Sequence, residues 1–281
     1  MDKRSRLEKS ISYLILAVFG FLLFAPFVYM LSAAFASDAT TVKGAFTFLP
    51  QELELSNFEK VFTDYHLGTY LKNSTILVLW TVIGSVFSAS FVSYGFARIR
   101  AKGSTLLFIV LLSTMMLPSE VTMVPQFIIF KELGWVNTFL PLIVPSFFAG
   151  AYNVFLIRQF VMALPKSLDE AAMIDGLGHF GIYSKIILPM TTPILAAIAI
   201  FSFTYNWGSF MGPLIYINDP EKTPLALGVQ LISTATGGQM PPWNMVMVAS
   251  LFLTIPMILV YMLGQRFVYE ANISGGSSAI K

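Results

Sequence analysis

The polar residues whose types and spacing could do chemistry are concentrated in residues 169–193, which read DEAAMIDGLGHFGIYSKIILPMTTP. This stretch contains three acids, three glycines, two prolines and one of the two histidines of the chain. Both histidines, His66 and His179, lie in predicted loops, and there is no HExxH pattern for zinc. The chain also lacks cysteine and a Walker A pattern. We therefore predict no catalytic residue, no metal site and no directly bound cofactor.

The composition indicates an all-α membrane protein. The 281 residues are 56% hydrophobic and 11% charged, with a mean hydropathy of +0.74, whereas soluble domains have about 25% charged residues. Six apolar runs approach the ~20 residues that cross a bilayer core. They lie at residues 11–35, 75–97, 104–117, 138–163, 186–206 and 244–264. The third run ends at Pro118, and segment 121–130 is expected either to lengthen it or to lie along the membrane surface.

The basic residues predict the orientation of these six transmembrane helices. The first run is near 25 residues long, longer than the ~7–15 residues of a signal peptide, so it is expected to remain as an anchor. The side that holds both termini carries 12 of the 17 basic and six of the 15 acidic residues. The positive-inside rule then makes residues 1–10 and 266–281 cytoplasmic, on either side of a membrane domain at 11–265. Loop 165–185, between the fourth and fifth helices, faces the cytoplasm.

Charged side chains are almost absent from the predicted helices, where Arg158 is the one example. Carriers driven by ions usually place ionisable residues on their path, so the energy for any transport is expected to come from a partner. An autonomous secondary carrier is disfavoured but stays open, because backbone carbonyls at broken helices also bind Na⁺.

The start of the polar stretch predicts a short helix. Ser167 and Glu170 have the spacing of a capping box, and Asp169 lies in the first turn, where an acid is favourable. Asp175 and Gly176 are a stop signal after about two turns, followed by a tight turn and a second helix that enters the fifth transmembrane helix. Three residues form one small apolar face of the short helix: Leu168, Ala171 and Ala172. This pattern fits a docking element or an ordinary amphipathic connector.

The same residues resemble a known motif. Glu170-Ala171-Ala172, then Gly176, then Ile186-Ile187-Leu188-Pro189 resemble the EAA loop in permease subunits of binding-protein-dependent ABC importers. The whole chain is similar to the MalG-type carbohydrate permeases, and the C-terminal GGSSAIK resembles the glycine-rich tail of that family. Further similar segments are Asn57-Phe58, Asn73-Ser74, Met116-Leu117-Pro118 and Trp207 to Leu214. In the last segment, the Asn, the acid and the second Trp of the family pattern are replaced by Gly208, Ser209 and Gly212.

This resemblance implies a permease subunit that forms half of the pathway of an ATP-driven sugar or oligosaccharide importer. The implied partners are a second, MalF-like permease subunit, two ATPase subunits that hold ATP and Mg²⁺, an external solute-binding protein and the lipid bilayer, with no nucleic acid. The implied location is the cytoplasmic membrane of a bacterium or archaeon. Residues 167–179 would form a coupling helix, and outer loops 37–72 and 207–243 would meet the binding protein. The implied coupling residues are Ser167, Asp169, Glu170, Ala171, Ala172, Asp175, Gly176, Gly178 and Pro189.

The solute is less constrained by the sequence. Sugars are often held by aromatic faces and hydrogen bonds, which makes five residues candidates for a substrate cavity: Trp80, Tyr94, Tyr205, Asn206 and Trp207. Aromatic residues are also expected at the interfaces of any membrane protein. A permease for a polyol phosphate, similar to glycerol 3-phosphate, is an alternative, and a membrane scaffold that transports nothing is another.

Overall fold

A computed structural model describes residues 3–37, 53–234 and 241–276, with side chains between residues 8 and 268, and within these ranges every regular element is helical. In chain order the helices are α1 (Lys3–Ala34), α2 (Ser56–Thr63), α3 (Leu67–Arg98), α4 (Ser104–Ser113), α5 (Ser119–Glu132), α6 (Leu140–Ile143), α7 (Ala151–Ala163), α8 (Ser167–Ile174), α9 (His179–Ile182), α10 (Leu188–Met190), α11 (Thr192–Trp207), α12 (Met211–Tyr216), α13 (Leu225–Thr234) and α14 (Trp243–Gly276). A π-helical turn, Tyr183–Ile187, joins α9 to α10. The all-helical prediction is confirmed. Parts of the predicted outer loops, 38–52 and 235–240, and the end of the predicted tail, 277–281, lie outside the described residues.

Four helical segments are long and apolar enough to cross a membrane. They are Glu8–Ala34, Leu67–Arg98, Leu140–Ala163 and Trp243–Val268, and they correspond to the first, second, fourth and sixth apolar runs of the sequence. The last of these helices continues without a break past residue 265 to Gly276. The third and fifth runs are not single straight helices.

The third run belongs to a helix pair that bends at Pro118. The segment Ser104–Met116 is about 20 Å long at 1.5 Å per residue, which is shorter than the ~30 Å hydrocarbon core. Helix α5 leaves it at 102°, because Leu117 and Pro118 are extended. Segment 121–130 therefore does not continue the third helix along the same axis.

The fifth run contains a second bend, at Thr191. Segments His179–Met190 and Thr192–Trp207 meet there at 75°. Pro189 and Pro193 flank the bend, and neither has an N–H to continue the helical hydrogen-bond pattern. The Thr191 hydroxyl lies 2.9 Å from the Ile187 carbonyl oxygen and is buried. The polar stretch thus enters its transmembrane helix through a bend rather than in a straight line.

The described residues within 1–68 and 228–254 form one compact unit, in which Asn57 fixes the end of α1. The Asn57 amide donates to the carbonyl oxygens of Ala34 and Ala36 at 3.0 and 2.9 Å. Asn244 donates to the Asn57 side-chain oxygen at 3.4 Å. The first residue of the Asn57-Phe58 pair therefore satisfies carbonyls that the helix end leaves open.

Residues 69–227 and 255–281 form the second unit, whose apolar core lies between α3, α7 and the α8–α11 region. Its buried members include Ala89, Val154, Ile157, Ile182, Ile187 and Ile198. Helix α3 approaches segment 144–147 so closely at Gly84 that a Cβ there would lie 2.5 Å from Ser146 Oγ. Two serines of the same helix, Ser88 and Ser93, also reach neighbouring carbonyl oxygens, those of Ser146 and Val154.

The other end of α3 carries the Asn73-Ser74 pair. The Asn73 amide donates to the carbonyl oxygens of Glu221 and Thr223 at 2.8 and 3.0 Å. The Ser74 hydroxyl accepts a hydrogen bond from the Leu225 N–H at 2.8 Å. The pair that the sequence singled out by resemblance thus fixes segment 221–225 against the start of α3.

Candidate functional site

Helix α8 occupies the polar stretch and has the predicted length of about two turns, Ser167–Ile174. Its start differs from the prediction. The N–H groups of Asp169 and Glu170 already donate to the Lys166 carbonyl oxygen, so Ser167 lies inside the first turn, and no side chain caps the helix. The predicted capping box is therefore wrong, because the chain enters the helical conformation earlier than the Ser-x-x-Glu spacing requires.

The end of α8 agrees with the prediction. Gly176 has φ +83°, which places it in the left-handed region where residues with a Cβ are strained. Its N–H donates to the Met173 carbonyl oxygen, and the Leu177 N–H donates to that of Ala172. These two bonds form a Schellman motif, which turns the chain sharply toward α9.

A buried ion pair joins α8 to the last residue of α3. Arg98 Nε lies 2.8 Å from Asp169 Oδ2, and the two side chains are 5% and 12% exposed. Arg98 Nη2 also donates to the Leu164 carbonyl oxygen at 2.9 Å. The sequence analysis singled out Asp169 for its place in the first turn but predicted no ion-pair partner for it. Arg98 could have been noticed as a candidate partner, because it is the first charged residue after the second apolar run.

The apolar face predicted for docking is divided between the interior and the surface. Ala172 is buried in the core, whereas Ala171 is exposed. The exposed surface of α8 also includes Glu170, Met173 and Ile174, and Ile174 is 87% exposed. The helix therefore exposes Glu170, Ala171 and Ile174 rather than the two alanines side by side, because consecutive residues of an α-helix point about 100° apart.

The segment after the turn is connected to α3 as well. His179 is exposed at the start of α9. In the π-helical turn, Tyr183 is buried and its hydroxyl lies 2.8 Å from the Ser90 hydroxyl. Pro189 is exposed in α10, next to the 75° bend, and Asp175 and Gly178 are exposed in the turn. Contacts at Arg98 and at Ser90 thus attach the polar stretch to one transmembrane helix.

The five candidates for a substrate cavity are not brought together. Trp80 and Tyr94 lie on α3 about 21 Å apart at 1.5 Å per residue. Tyr94 is buried against Tyr183, with ring centroids 5.4 Å apart. Trp207 is buried and stacks on Phe203, and Asn206 donates to a carbonyl of its own helix. Trp80 and Tyr205 are exposed. A sugar contact at these positions stays a prediction, and the buried rings of Tyr94 and Trp207 already have a packing role.

In the part of the chain that the structure describes, no three His, Cys, Asp or Glu side chains come together to form a candidate metal site. The arrangement around α8 has a different character. A short helix is held on one side by an ion pair and a core alanine, and its other side is exposed.

The sequence and the fold of this chain are similar to those of known proteins. Residues 86–271 match the family described as binding-protein-dependent transport system inner membrane component. The trehalose/maltose transport system permease protein MalG of Thermococcus litoralis is 31% identical, with 93% of this chain and 95% of that protein covered. The arabinooligosaccharides transport system permease protein AraQ of Halalkalibacterium halodurans is 30% identical, with 95% and 96% covered. Among solved structures, a chain of a bacterial ABC transporter that imports the acidic polysaccharide alginate has the same fold, with a TM-score of 0.84, 22% identity and 95% and 98% covered.

Proposed function

Because the chain belongs to the family of binding-protein-dependent transport system inner membrane components, we propose that it is the permease subunit of an ATP-driven importer and forms half of the solute pathway. Each bent helix pair counts as one transmembrane segment, which gives six. Both termini and loop 165–185 face the cytoplasm, in keeping with the basic residues on that side. The membrane domain is residues 11–265, between the cytoplasmic ends 1–10 and 266–281.

The observation that carries the coupling role is that α8 is attached to the protein on one side and exposed on the other. The Arg98–Asp169 pair and buried Ala172 hold one side to the protein, while Glu170, Ala171 and Ile174 are exposed on the other. Two turns of helix would be unstable alone, so a helix held in this way is suited to follow a partner that moves. The Schellman turn and the Tyr183–Ser90 contact pass that movement to α3 and α11.

The partners are those that such a pathway requires. A second permease subunit completes the pathway, two ATPase subunits bind ATP and Mg²⁺ and hydrolyse the ATP, and an external protein delivers the solute. Exposed residues of α8 fit in a cleft of one ATPase subunit. The coupling segment, residues 167–189, also includes Ser167, Asp175, Gly178 and Pro189. The outer loops meet the binding protein.

The solute is a carbohydrate, either a sugar or an oligosaccharide. Support comes from the two relatives, whose names specify trehalose/maltose and arabinooligosaccharides. These names favour a carbohydrate over a polyol phosphate. Exposed Trp80 and Tyr205 are the remaining candidates from the sequence for contact with a sugar ring.

Charge reversal at Glu170 tests the coupling role. In the reconstituted importer, Glu170→Lys should leave membrane insertion and complex assembly intact but abolish both solute uptake and the stimulation of ATP hydrolysis by the binding protein. The matched control is Glu8→Lys, the same change at an exposed position of α1, which lies outside both the coupling segment and the outer loops and should leave uptake and stimulation normal. Normal uptake together with normal stimulation in Glu170→Lys would overturn the coupling role.

The solute class is tested on the binding protein. Thermal shifts with a panel of sugars, oligosaccharides and polyol phosphates should show stabilisation by a carbohydrate. Stabilisation by a polyol phosphate alone would replace the carbohydrate assignment and leave the importer assignment intact.

A further inference from the structure

A basic cavity of about 730 Å³ lies beside α8, and most of its charged lining comes from residues outside α8. We call it the basic cavity, and its charged lining consists of Arg98, Arg100, Lys102, Arg158, Lys166, Asp169 and Glu170. The five cations outnumber the two acids, and one of these acids is already paired with Arg98. Such a cavity has an excess of positive charge and favours an anionic ligand.

Arg98 supplies an unsatisfied donor to this lining. Its side chain is 5% exposed, its Nε faces Asp169 and its Nη2 is bound to the Leu164 carbonyl oxygen. Within the described part of the chain, Nη1 is buried and has no hydrogen-bond partner, and neither has Asp169 Oδ1. Buried polar atoms in native proteins nearly always have partners, so the Arg98–Asp169 pair leaves an unsatisfied N–H and an unsatisfied oxygen next to the cavity lining.

Arg158 is the second fixed cation of the cavity, and it is the one charged side chain within the apolar runs of the sequence. Its guanidinium lies 4.1 Å from the centre of the Phe108 ring, and its Nε donates to the Phe96 carbonyl oxygen at 3.3 Å. These contacts orient the guanidinium without neutralising it, since neither partner carries a charge. A charged side chain within an apolar helix is costly and usually serves a site.

An apolar groove continues from the basic cavity along α3 and α4. It measures about 260 Å³ and is lined by Val92, Gly95, Phe96, Ile99, Ala101, Lys102, Ser104 and Leu107. Five of these residues also line the basic cavity: Phe96, Ile99, Ala101, Lys102 and Ser104. A soluble phosphate would occupy only the basic part. A molecule with a phosphate head and a hydrocarbon chain would fill both, and basic pockets at the cytoplasmic membrane surface bind such headgroups.

We propose that the basic cavity binds the phosphate headgroup of an anionic phospholipid, with one acyl chain in the adjoining groove. Arg158 and Lys102 donate to the phosphate oxygens, Arg98 adds its positive charge to the lining, and Lys166 approaches from the loop before α8. The lipid therefore lies between α3, α7 and the coupling segment. The proposal rests on the cytoplasmic orientation proposed above but not on the identity of the solute.

The test measures lipid bound to the whole purified importer complex, with and without its ATPase subunits. The complex is stripped of lipid in detergent and titrated with phosphatidylglycerol or, in parallel, phosphatidylcholine, and bound lipid is counted by native mass spectrometry. Phosphatidylglycerol should bind with defined stoichiometry and phosphatidylcholine should not. Arg158→Gln and Lys102→Gln should each weaken binding by about 5-fold, the effect of roughly one cation at an anionic lipid. Lys9→Gln, the loss of an exposed cation on α1, is the control and should have no effect.

A second variant separates a lipid from a soluble anion. A side chain at Gly95 has open space, with no atom within 4 Å of a Cβ, so Gly95→Phe fills the groove and keeps every cation. It should abolish phosphatidylglycerol binding and leave the binding of inorganic phosphate unchanged. The melting temperature of each variant is compared with wild type so that unfolding is not mistaken for lost affinity.

Three outcomes would overturn the proposal. Equal binding of phosphatidylglycerol by wild type and Arg158→Gln would show that the lipid does not bind in the basic cavity. Unchanged lipid binding in Gly95→Phe, with competition by inorganic phosphate, would assign the cavity to a soluble anion. Binding only in the complex without ATPase subunits would assign the cavity to an ATPase contact. None of these readouts depends on uptake, so each is separate from a failure of the importer assignment.

Discussion

Arg98 Nε lies 2.8 Å from Asp169 Oδ2, which joins the last residue of a transmembrane helix to the third residue of the exposed two-turn helix α8. Both side chains are almost fully buried. Burying two charges is costly, and the pair is tolerated because each charge neutralises the other. The relationship makes Asp169 a structural attachment, whereas the side chain of its neighbour Glu170 is exposed.

Removal of one member of this pair should be more harmful than removal of both. Asp169→Leu leaves a buried guanidinium unpaired and should destabilise the protein by about 3–5 kcal/mol. The double variant Arg98→Met with Asp169→Leu replaces the pair with apolar groups and should regain most of that loss. Thermal unfolding of the purified complex measures all three proteins against wild type. A double variant as unstable as the sum of the single variants would show that the pair is not energetically coupled.

The turn after α8 should depend on glycine at one position and not at its neighbour. Gly176 has φ +83°, and a Cβ in the left-handed region costs about 1–2 kcal/mol. Gly176→Ala should lower the melting temperature, and Gly176→Asn should lower it less, because Asn tolerates this conformation. Gly176→Pro should be the worst, since it also removes the N–H bonded to Met173.

The matched control for that turn is Gly178→Ala. Gly178 has φ −77° and ψ 172°, an extended conformation that any residue adopts, and no atom lies within 4 Å of a Cβ there. It should behave as wild type. Equal losses in Gly176→Ala and Gly178→Ala would contradict the assignment of the left-handed turn to Gly176.

Two glycines of α3 should respond in opposite directions to the same change. A Cβ at Gly84 would lie 2.5 Å from Ser146 Oγ and 2.7 Å from the Phe147 ring, so Gly84→Ala should destabilise the protein by about 1–3 kcal/mol through overpacking. Gly95 has open space, so Gly95→Ala should be neutral or stabilising by about 0.5–1 kcal/mol, because Ala favours helix over Gly. Melting temperatures of both variants check this, and a stable Gly84→Ala protein would refute the close approach of α3 to segment 144–147.

The amide of Asn73 should be necessary for the order of segment 221–225. Asn73→Asp removes the NH₂ group that bonds two carbonyl oxygens and turns a carboxylate toward them, at a cost of about 1–3 kcal/mol or more. Hydrogen exchange in that segment should become faster. Asn218→Asp makes the same change at an exposed position and should leave exchange there unchanged, whereas equal effects of the two changes would point to charge alone.

The same loop should lose order in acid. The Glu221 N–H and then Lys222, which contact the Asp219 carboxylate at 3.0 and 3.3 Å, hold the pKa of Asp219 below its ordinary value. A lowered carboxylate pKa stabilises the fold at pH values above the unfolded pKa, about 3.9, and the contribution disappears as the pH falls through the folded pKa. Hydrogen exchange at residues 221–223 should therefore rise in that acid range for wild type, and Asp219→Asn should show no such rise.

Several features of this protein were determined by its sequence alone. Apolar runs, the basic residues on one side and the EAA-like loop predicted a helical membrane protein of a transport family, because hydrophobicity and motif spacing are local properties. The two-turn length of α8 and its end at Gly176 followed from local capping preferences in the same way. Its start did not, since the conformation of Lys166 brought the first turn forward and left the capping box unformed.

Only the tertiary structure decided what each polar residue contacts. Arg98 and Asp169 are 71 positions apart in the sequence, and Asn73 is 148 positions from Glu221, so no local pattern pairs them. The bends of 102° and 75° separate helices that hydropathy reads as single runs, because hydropathy records how apolar a segment is and not the direction of its axis. The fold likewise buries Ala172 and exposes Ala171, although their spacing had predicted that both belong to one apolar face of α8.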